Sequence, residues 1–140
     1  MDAVVSLVAH CDDVDWATLK ATLADDDFDN GRTPAQLEQS FRASARVLFA
    51  QDGDAIVGTA RALSDGVSNA YVVDMWTHSK LRRRGIGQRM LERLLAPLEG
   101  QHVYLFTDDQ SEFYKACGFV PRGAGMERVV GNWLQNASDS

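Results

Sequence analysis

The order of periodicities along this chain predicts an α/β fold of the α+β kind: a mixed, mostly antiparallel sheet of six to seven strands flanked by about four helices. Three observations carry that prediction. Strand-like and amphipathic runs follow one another as β, α, α, β, β, β, α, β, α, β, with a last strand open near residues 124 to 134. Tight turns between residues 46 and 77 require antiparallel neighbours, whereas the strand–helix–strand unit from residue 70 to 107 requires a parallel crossover. Finally, 140 residues, 45% of them hydrophobic and 24% charged, suit one domain with a real core and are too few for two domains and a linker. One domain over 1–140 is expected, with 136–140 as a polar tail.

Each element has a local reason. Val4-Val5-Ser6-Leu7-Val8 is a β-branched run, and the polar His10-Cys11-Asp12-Asp13 after it supplies helix caps. A rough apolar stripe at Val14, Ala17, Leu19, Ala21 and Leu23 makes the first helix, which ends in the acidic loop Asp25 to Asn30. Thr33-Pro34 is an N-cap with an N1 proline, and Leu37, Phe41 and Ala45 follow at helical spacing to about Ser44. From Arg46 the period becomes two, with turns at Asp52-Gly53-Asp54 and Ser64-Asp65-Gly66 and a third strand over Ala70 to Thr77. Ile86, Met90, Leu91, Leu94, Leu95 and Leu98 then mark one face of the strongest helix, closed by Pro97 and Gly100. His102 to Thr107 is a strand, Ser111 to Cys117 a short helix, and Gly118-Phe119-Val120 the start of another extended segment.

Charge and cysteine usage exclude several functions. A net charge of -6 argues against a protein that grips a nucleic-acid backbone, and no apolar run is long enough to span a bilayer. Cys11 and Cys117 form neither a disulfide framework nor a zinc-ligand spacing, so no metal is expected. The first residues lack the basic n-region of a secretory signal, which makes the cytoplasm the expected compartment. The charge is uneven, however: Lys80, Arg82, Arg83 and Arg84 crowd into five positions.

That basic run lies between a strand and a glycine-opened helix, where free N–H groups and the positive end of the helix dipole favour an anion. Gly85 and Gly87 let the backbone approach it, and the arginines add charge-assisted hydrogen bonds. A Walker loop is absent from the chain. A dinucleotide GxGxxG would put Met90 at its third glycine, with too little chain after Gly87 for a doubly wound sheet. A third pattern, arginine or glutamine, two residues, glycine, one residue, glycine or alanine, is met by Arg82-Arg83-Arg84-Gly85-Ile86-Gly87.

This run resembles the acyl-CoA pyrophosphate loop of the GCN5-related N-acetyltransferases, the GNAT superfamily. Phe113-Tyr114-Lys115-Ala116-Cys117-Gly118-Phe119 is similar to that family's FYxxxGF segment, at about the usual separation. The resemblance implies a splayed central pair of parallel strands forming an acyl-CoA cleft. It implies that the backbone of Met75, Trp76 and Thr77 binds the pantetheine arm, and that the Arg82 side chain with the amides of Arg83, Arg84, Gly85, Ile86, Gly87 and Gln88 binds the pyrophosphate. Tyr114 falls at the tyrosine that often protonates the departing thiolate. Ser79 stands where the family often has proline, and Thr107 where it often has asparagine.

The implied activity is transfer of an acetyl group from acetyl-CoA, as co-substrate, to a primary amine by direct attack in a ternary complex. The alternative is a non-catalytic acyl-CoA-binding module of the same fold. Asp74, a carboxylate in an otherwise apolar strand, is either a structural hydrogen-bonding residue or a catalytic site carboxylate. His78 reads as a loop residue or a water-mediated proton carrier, His10 and His102 as structural, and Cys117 as packing. The acidic residues Asp25, Asp26, Asp27 and Asp29 read either as an ordinary soluble loop or, since the resemblance implies that the first two helices border the acceptor cleft, as an attraction for a small cationic amine. No nucleic acid and no membrane are expected as partners, and a homodimer is left open.

Overall fold

The computed structural model describes residues 5–135. The chain runs β1 (Ser6–Val8), α1 (Trp16–Asp25), α2 (Pro34–Arg42), β2 (Arg46–Asp52), β3 (Ala55–Ser64), β4 (Asn69–Thr77), α3 (Ile86–Leu95), β5 (His102–Tyr104) and α4 (Ser111–Ala116). Single 3₁₀ turns at Ser79–Leu81 and Ala96–Leu98 flank α3. The five strands lie in chain order, β1-β2-β3-β4-β5, antiparallel except for the β4–β5 pair, which is parallel.

The helix starts follow their caps. Asp15 accepts a hydrogen bond from the Thr18 N–H at 3.1 Å to open α1. Thr33 and Gln36 form a reciprocal capping box around Pro34 to open α2. Alternation then assigns the two faces of the sheet, and a register shift between β3 and β4 at Asp74 and Met75 carries Trp76 to the face opposite Val72. Leu48, Ala50, Ala60, Ala62 and Val72 face α3 through Ile86, Met90, Leu91 and Leu94. Phe49 and Trp76 face α1 and α2 through Trp16, Leu19, Leu23, Leu37 and Phe41. Trp16, Phe41 and Phe49 form an aromatic cluster with ring centroids 5.4 to 6.1 Å apart.

Gly58 sets how closely α3 approaches the sheet. A Cβ there would lie 2.8 Å from Met90 Cε and 3.1 Å from Ala50 Cβ. Met90 is itself fully buried and Ala50 belongs to the sheet, so neither yields freely. Gly58→Ala is expected to cost about 1 to 3 kcal/mol, as overpacked cores do. Equilibrium urea unfolding checks this, and an unchanged midpoint would show that Met90 swings aside without penalty.

Three expectations are corrected. Among the described residues the sheet has five strands rather than six or seven: residues 118–120 and 124–134 form none. Pro121 offers no N–H, while Gly118, Gly123 and Gly131 take φ of +94°, +58° and +70°, which interrupts any extended run. The Trp133 indole instead donates to the Asn30 carbonyl at 3.0 Å, holding this segment against the α1–α2 loop. The parallel pair is accordingly at the edge of the sheet, not its centre, and β5 stops at Tyr104. The expected start of the first strand, Val4, and the polar tail at 136–140 lie outside the described residues.

Candidate active site

The site is built where β4 leaves its neighbour. Pairing with β5 runs from Asn69↔His102 to Tyr71↔Tyr104 and stops, yet β4 continues to Thr77. On its other side β4 stays paired with β3, through a bulge that sets Asp74 and Met75 opposite the single residue Ala60. The chain then makes the 3₁₀ turn and enters α3 through Arg83 at φ +66° and Gly85 at φ +80°. Gly85 is the N-cap of α3 and brings no side chain to the free amides of the first turn.

These elements wall a cleft of about 1130 Å³. Met75, Trp76 and Thr77 form one side, and Arg82, Arg83, Gly85, Ile86, Gly87 and Gln88 the end at the α3 N-terminus. Phe113 and Tyr114 of α4 close the third side, and Asp25 at the end of α1 with Asp26, Asp27 and Phe28 after it the fourth. Met75 packs toward α3 and Trp76 is 2% exposed within the opposite core; Trp76 sits opposite Thr59 in the register in which the His78 N–H donates to the Val57 carbonyl, so its backbone faces β3 and the backbone groups of Met75 and Thr77 face the open side. The Arg82 guanidinium folds over the strand end, its Nε donating to the Thr77 carbonyl at 3.1 Å. Of the expected ligand-binding residues, Arg84 alone does not line the cleft; it is exposed on the loop.

Tyr114 is buried between Phe113 and Phe119, both edge-on, at centroid distances of 5.1 and 5.8 Å. Burial, with the nearby Cys117 thiol, raises its phenol above the ordinary value, so the hydroxyl keeps its proton at neutral pH. Burial also raises the Cys117 thiol, the opposite of what a nucleophile requires.

Asp74 is not among the residues that line the cleft. Its carboxylate accepts from both Arg32 Nη atoms at 3.0 and 2.9 Å and from Arg61 Nε at 2.5 Å. Burial alone would raise its pKa, but the hydrogen bonds and charge of Arg32, with those of Arg61, outweigh burial and hold it below the ordinary carboxylate value. The geometry is that of an anchored ion, the structural alternative, and not of a base facing substrate. Arg32 and Arg61 are additions that sequence reasoning missed. A signal existed: Arg61 and Asp74 are lone charges in neighbouring strands of a predicted meander, where cross-strand pairing brings them together.

The acidic loop divides in two. Asp26 accepts from the Trp76 indole at 2.9 Å, the Ser79 N–H at 3.0 Å and the Ser79 hydroxyl at 2.5 Å. Burial acts to raise its pKa, yet the hydrogen bonds from Ser79 and Trp76 prevail and lower it. A lowered pKa means that this tether contributes fully above the ordinary carboxylate range and is lost as pH falls through the depressed value. Asp29 is paired with Lys20 at 3.1 Å. Asp25 and Asp27 carry the exposed negative charge on the cleft wall. His78 caps the 3₁₀ turn, its Nδ1 accepting from the Lys80 N–H at 3.2 Å. Among the described residues no group of three His, Cys, Asp or Glu is placed to hold a metal ion, and no helix is long and apolar enough to cross a membrane.

Comparison with known proteins agrees with this architecture. A family profile described as Acetyltransferase (GNAT) domain matches residues 43–121, more than half of the chain. GCN5-related N-acetyltransferase 3, chloroplastic, of Arabidopsis thaliana is 35% identical over 68 residues, covering 46% of this chain and 29% of that protein. Histone acetyltransferase TAP1 of Glycine max is 29% identical over 140 residues, covering 95% of this chain and 58% of that protein. The chain therefore spans less than two thirds of the length of either relative. A solved GNAT-family acetyltransferase from Streptococcus pneumoniae superposes with a TM-score of 0.76 at 25% identity, covering 92% of this chain and 100% of that one.

Proposed function

The chain belongs to the GNAT acetyltransferase family, and from that premise we propose that it transfers an acetyl group from acetyl-CoA to a primary amine by direct attack. The observation that carries the reading is the cleft in which the unpaired side of β4 runs into the uncapped N-terminus of α3 beside Arg82 and Arg83. This donor set fits CoA: a strand edge for the amides of its pantetheine arm, and helix N–H groups with guanidinium groups for its pyrophosphate. In the reaction the free amine forms the new C–N bond and the β4 amides steady the oxyanion. The C–S bond then breaks, Tyr114 gives its proton to the thiolate, and the amine proton leaves to water.

Asp25 and Asp27 favour a cationic acceptor, as does the relative named for a histone, a protein rich in lysine amines. We place the chemistry in the cytoplasm, where two free thiols are at home; the Arabidopsis relative is named chloroplastic.

Thiol release from acetyl-CoA over an amine panel tests the proposal. CoA binding without thiol release to any amine would instead mark a binding module. Among active amines, cationic ones are expected to show the highest kcat/KM, and it should fall with salt, since screening acts over about 8 Å at physiological ionic strength. Asp25→Asn/Asp27→Asn should flatten that salt dependence and leave CoA affinity unchanged. Full retention of the dependence would show that the loop does not steer the acceptor.

A further inference from the structure

Asp74 sits at φ +53°, a left-handed conformation costing a non-glycine residue on the order of 1 to 3 kcal/mol, which persists only where surroundings over-determine it. Here they do. The Thr59 hydroxyl donates to the Asp74 carbonyl at 2.8 Å, fixing the backbone, while Arg32 and Arg61 hold the carboxylate from two directions. The arginines are themselves fixed. Arg32 Nε donates to Asn30 Oδ1 at 2.8 Å, and the Arg61 guanidinium lies 5.7 Å from the Phe41 ring centroid. The side chains of Arg32, Arg61 and Asp74 are 7%, 13% and 12% exposed. A buried ion group of this kind is weak evidence of added stability over apolar packing, and what these three side chains visibly do is fix a geometry. The geometry they fix is that of the bulge, and Met75, its second residue, lines the cleft.

We propose that Asp74, clamped by Arg32 and Arg61, is a positioning residue that holds the β4 bulge so that the Met75 amide points at the thioester carbonyl. The inference rests on the acetyl-CoA reading above. It places the carboxylate behind the reacting atoms, in contact with neither acyl donor nor acceptor.

The test compares wild type with Asp74→Asn, which keeps the shape and tolerates positive φ but loses the charge. Three quantities are measured: CoA affinity by calorimetry, kcat with the best amine, and the infrared carbonyl stretch of bound carbonyl-¹³C acetyl-CoA. CoA affinity should stay within about twofold, because the α3 end of the cleft is untouched. kcat should fall about 10- to 1,000-fold, up to the loss of one oxyanion donor. The carbonyl stretch should move toward that of free acetyl-CoA, a change that general destabilisation would not produce at constant affinity. Unchanged kcat and stretch, or an equal loss of CoA affinity, overturns the assignment. If Asp74→Asn does not fold, Arg61→Lys carries the same three measurements with the same outcomes, since it keeps the charge but not the planar fork. Wild type that binds no CoA overturns the functional reading, and the positioning role with it.

Discussion

Gly87→Val is expected to yield a folded protein whose CoA affinity is about 10- to 1,000-fold weaker. A Cβ at Gly87 lies 3.4 Å from Phe113 Cζ and 3.5 Å from Thr77 Oγ1, ordinary contacts that the fold accepts. The branches beyond it project into the cleft between α3 and α4, where the anion must reach the first-turn amides. A hydrogen bond to a charged group contributes about 1.5 to 3 kcal/mol, and a total loss of about 1.4 to 4 kcal/mol, one bond to two weaker ones, corresponds to that range. Calorimetric titration with CoA, paired with circular dichroism, measures both halves of the statement. A folded variant with wild-type affinity would move the phosphate site elsewhere.

Tyr114→Phe is expected to lower kcat about 100- to 10,000-fold with little change in CoA affinity. The substitution removes one hydroxyl and keeps the ring that packs edge-on between Phe113 and Phe119, so the fold has no reason to change. What it removes is the hydroxyl that we propose as the general acid, and general acids contribute in that range. Because burial raises the phenol's pKa, any loss of wild-type activity from its ionisation should fall on the alkaline side of the ordinary tyrosine value. The measurement is pre-steady-state thiol release, where product departure does not mask chemistry. Unchanged chemistry would leave Tyr114 as packing alone.

How much of this was legible in the sequence depended on how local the cause was. Thr33-Pro34, the Asp52-Gly53-Asp54 turn and the apolar face from Ile86 to Leu94 act within a few residues, and each produced its element close to the expected bounds. The loop from Arg82 to Gln88 was legible for the same reason, since a strand end, a glycine turn and a helix start are contiguous. Asp74 was ambiguous because its partner Arg32 is 42 residues away. Asp26 and Asp29 read as members of one charge cluster, yet contacts with Ser79 and Lys20 commit both to structure. The segment after Gly118 has strand-like residues, but Pro121, its left-handed glycines and the hold of Trp133 on Asn30 decide against a strand.

The early end of β4–β5 pairing leaves β4 as half of an unfinished ladder. From Val72 to Thr77 its β5-facing side has no strand opposite it among the described residues. An extended molecule carrying amides at strand-like spacing would continue the sheet beyond β5, so the acyl donor we propose would be a structural element for as long as it stays. Recognition of that kind reads backbone rather than side chains, which explains how a binding wall can tolerate residues as unlike as Met75, Trp76 and Thr77. It also makes occupancy and stability one quantity: at a hundredfold excess over its Kd, such a ligand adds about 2.7 kcal/mol to the fold it completes.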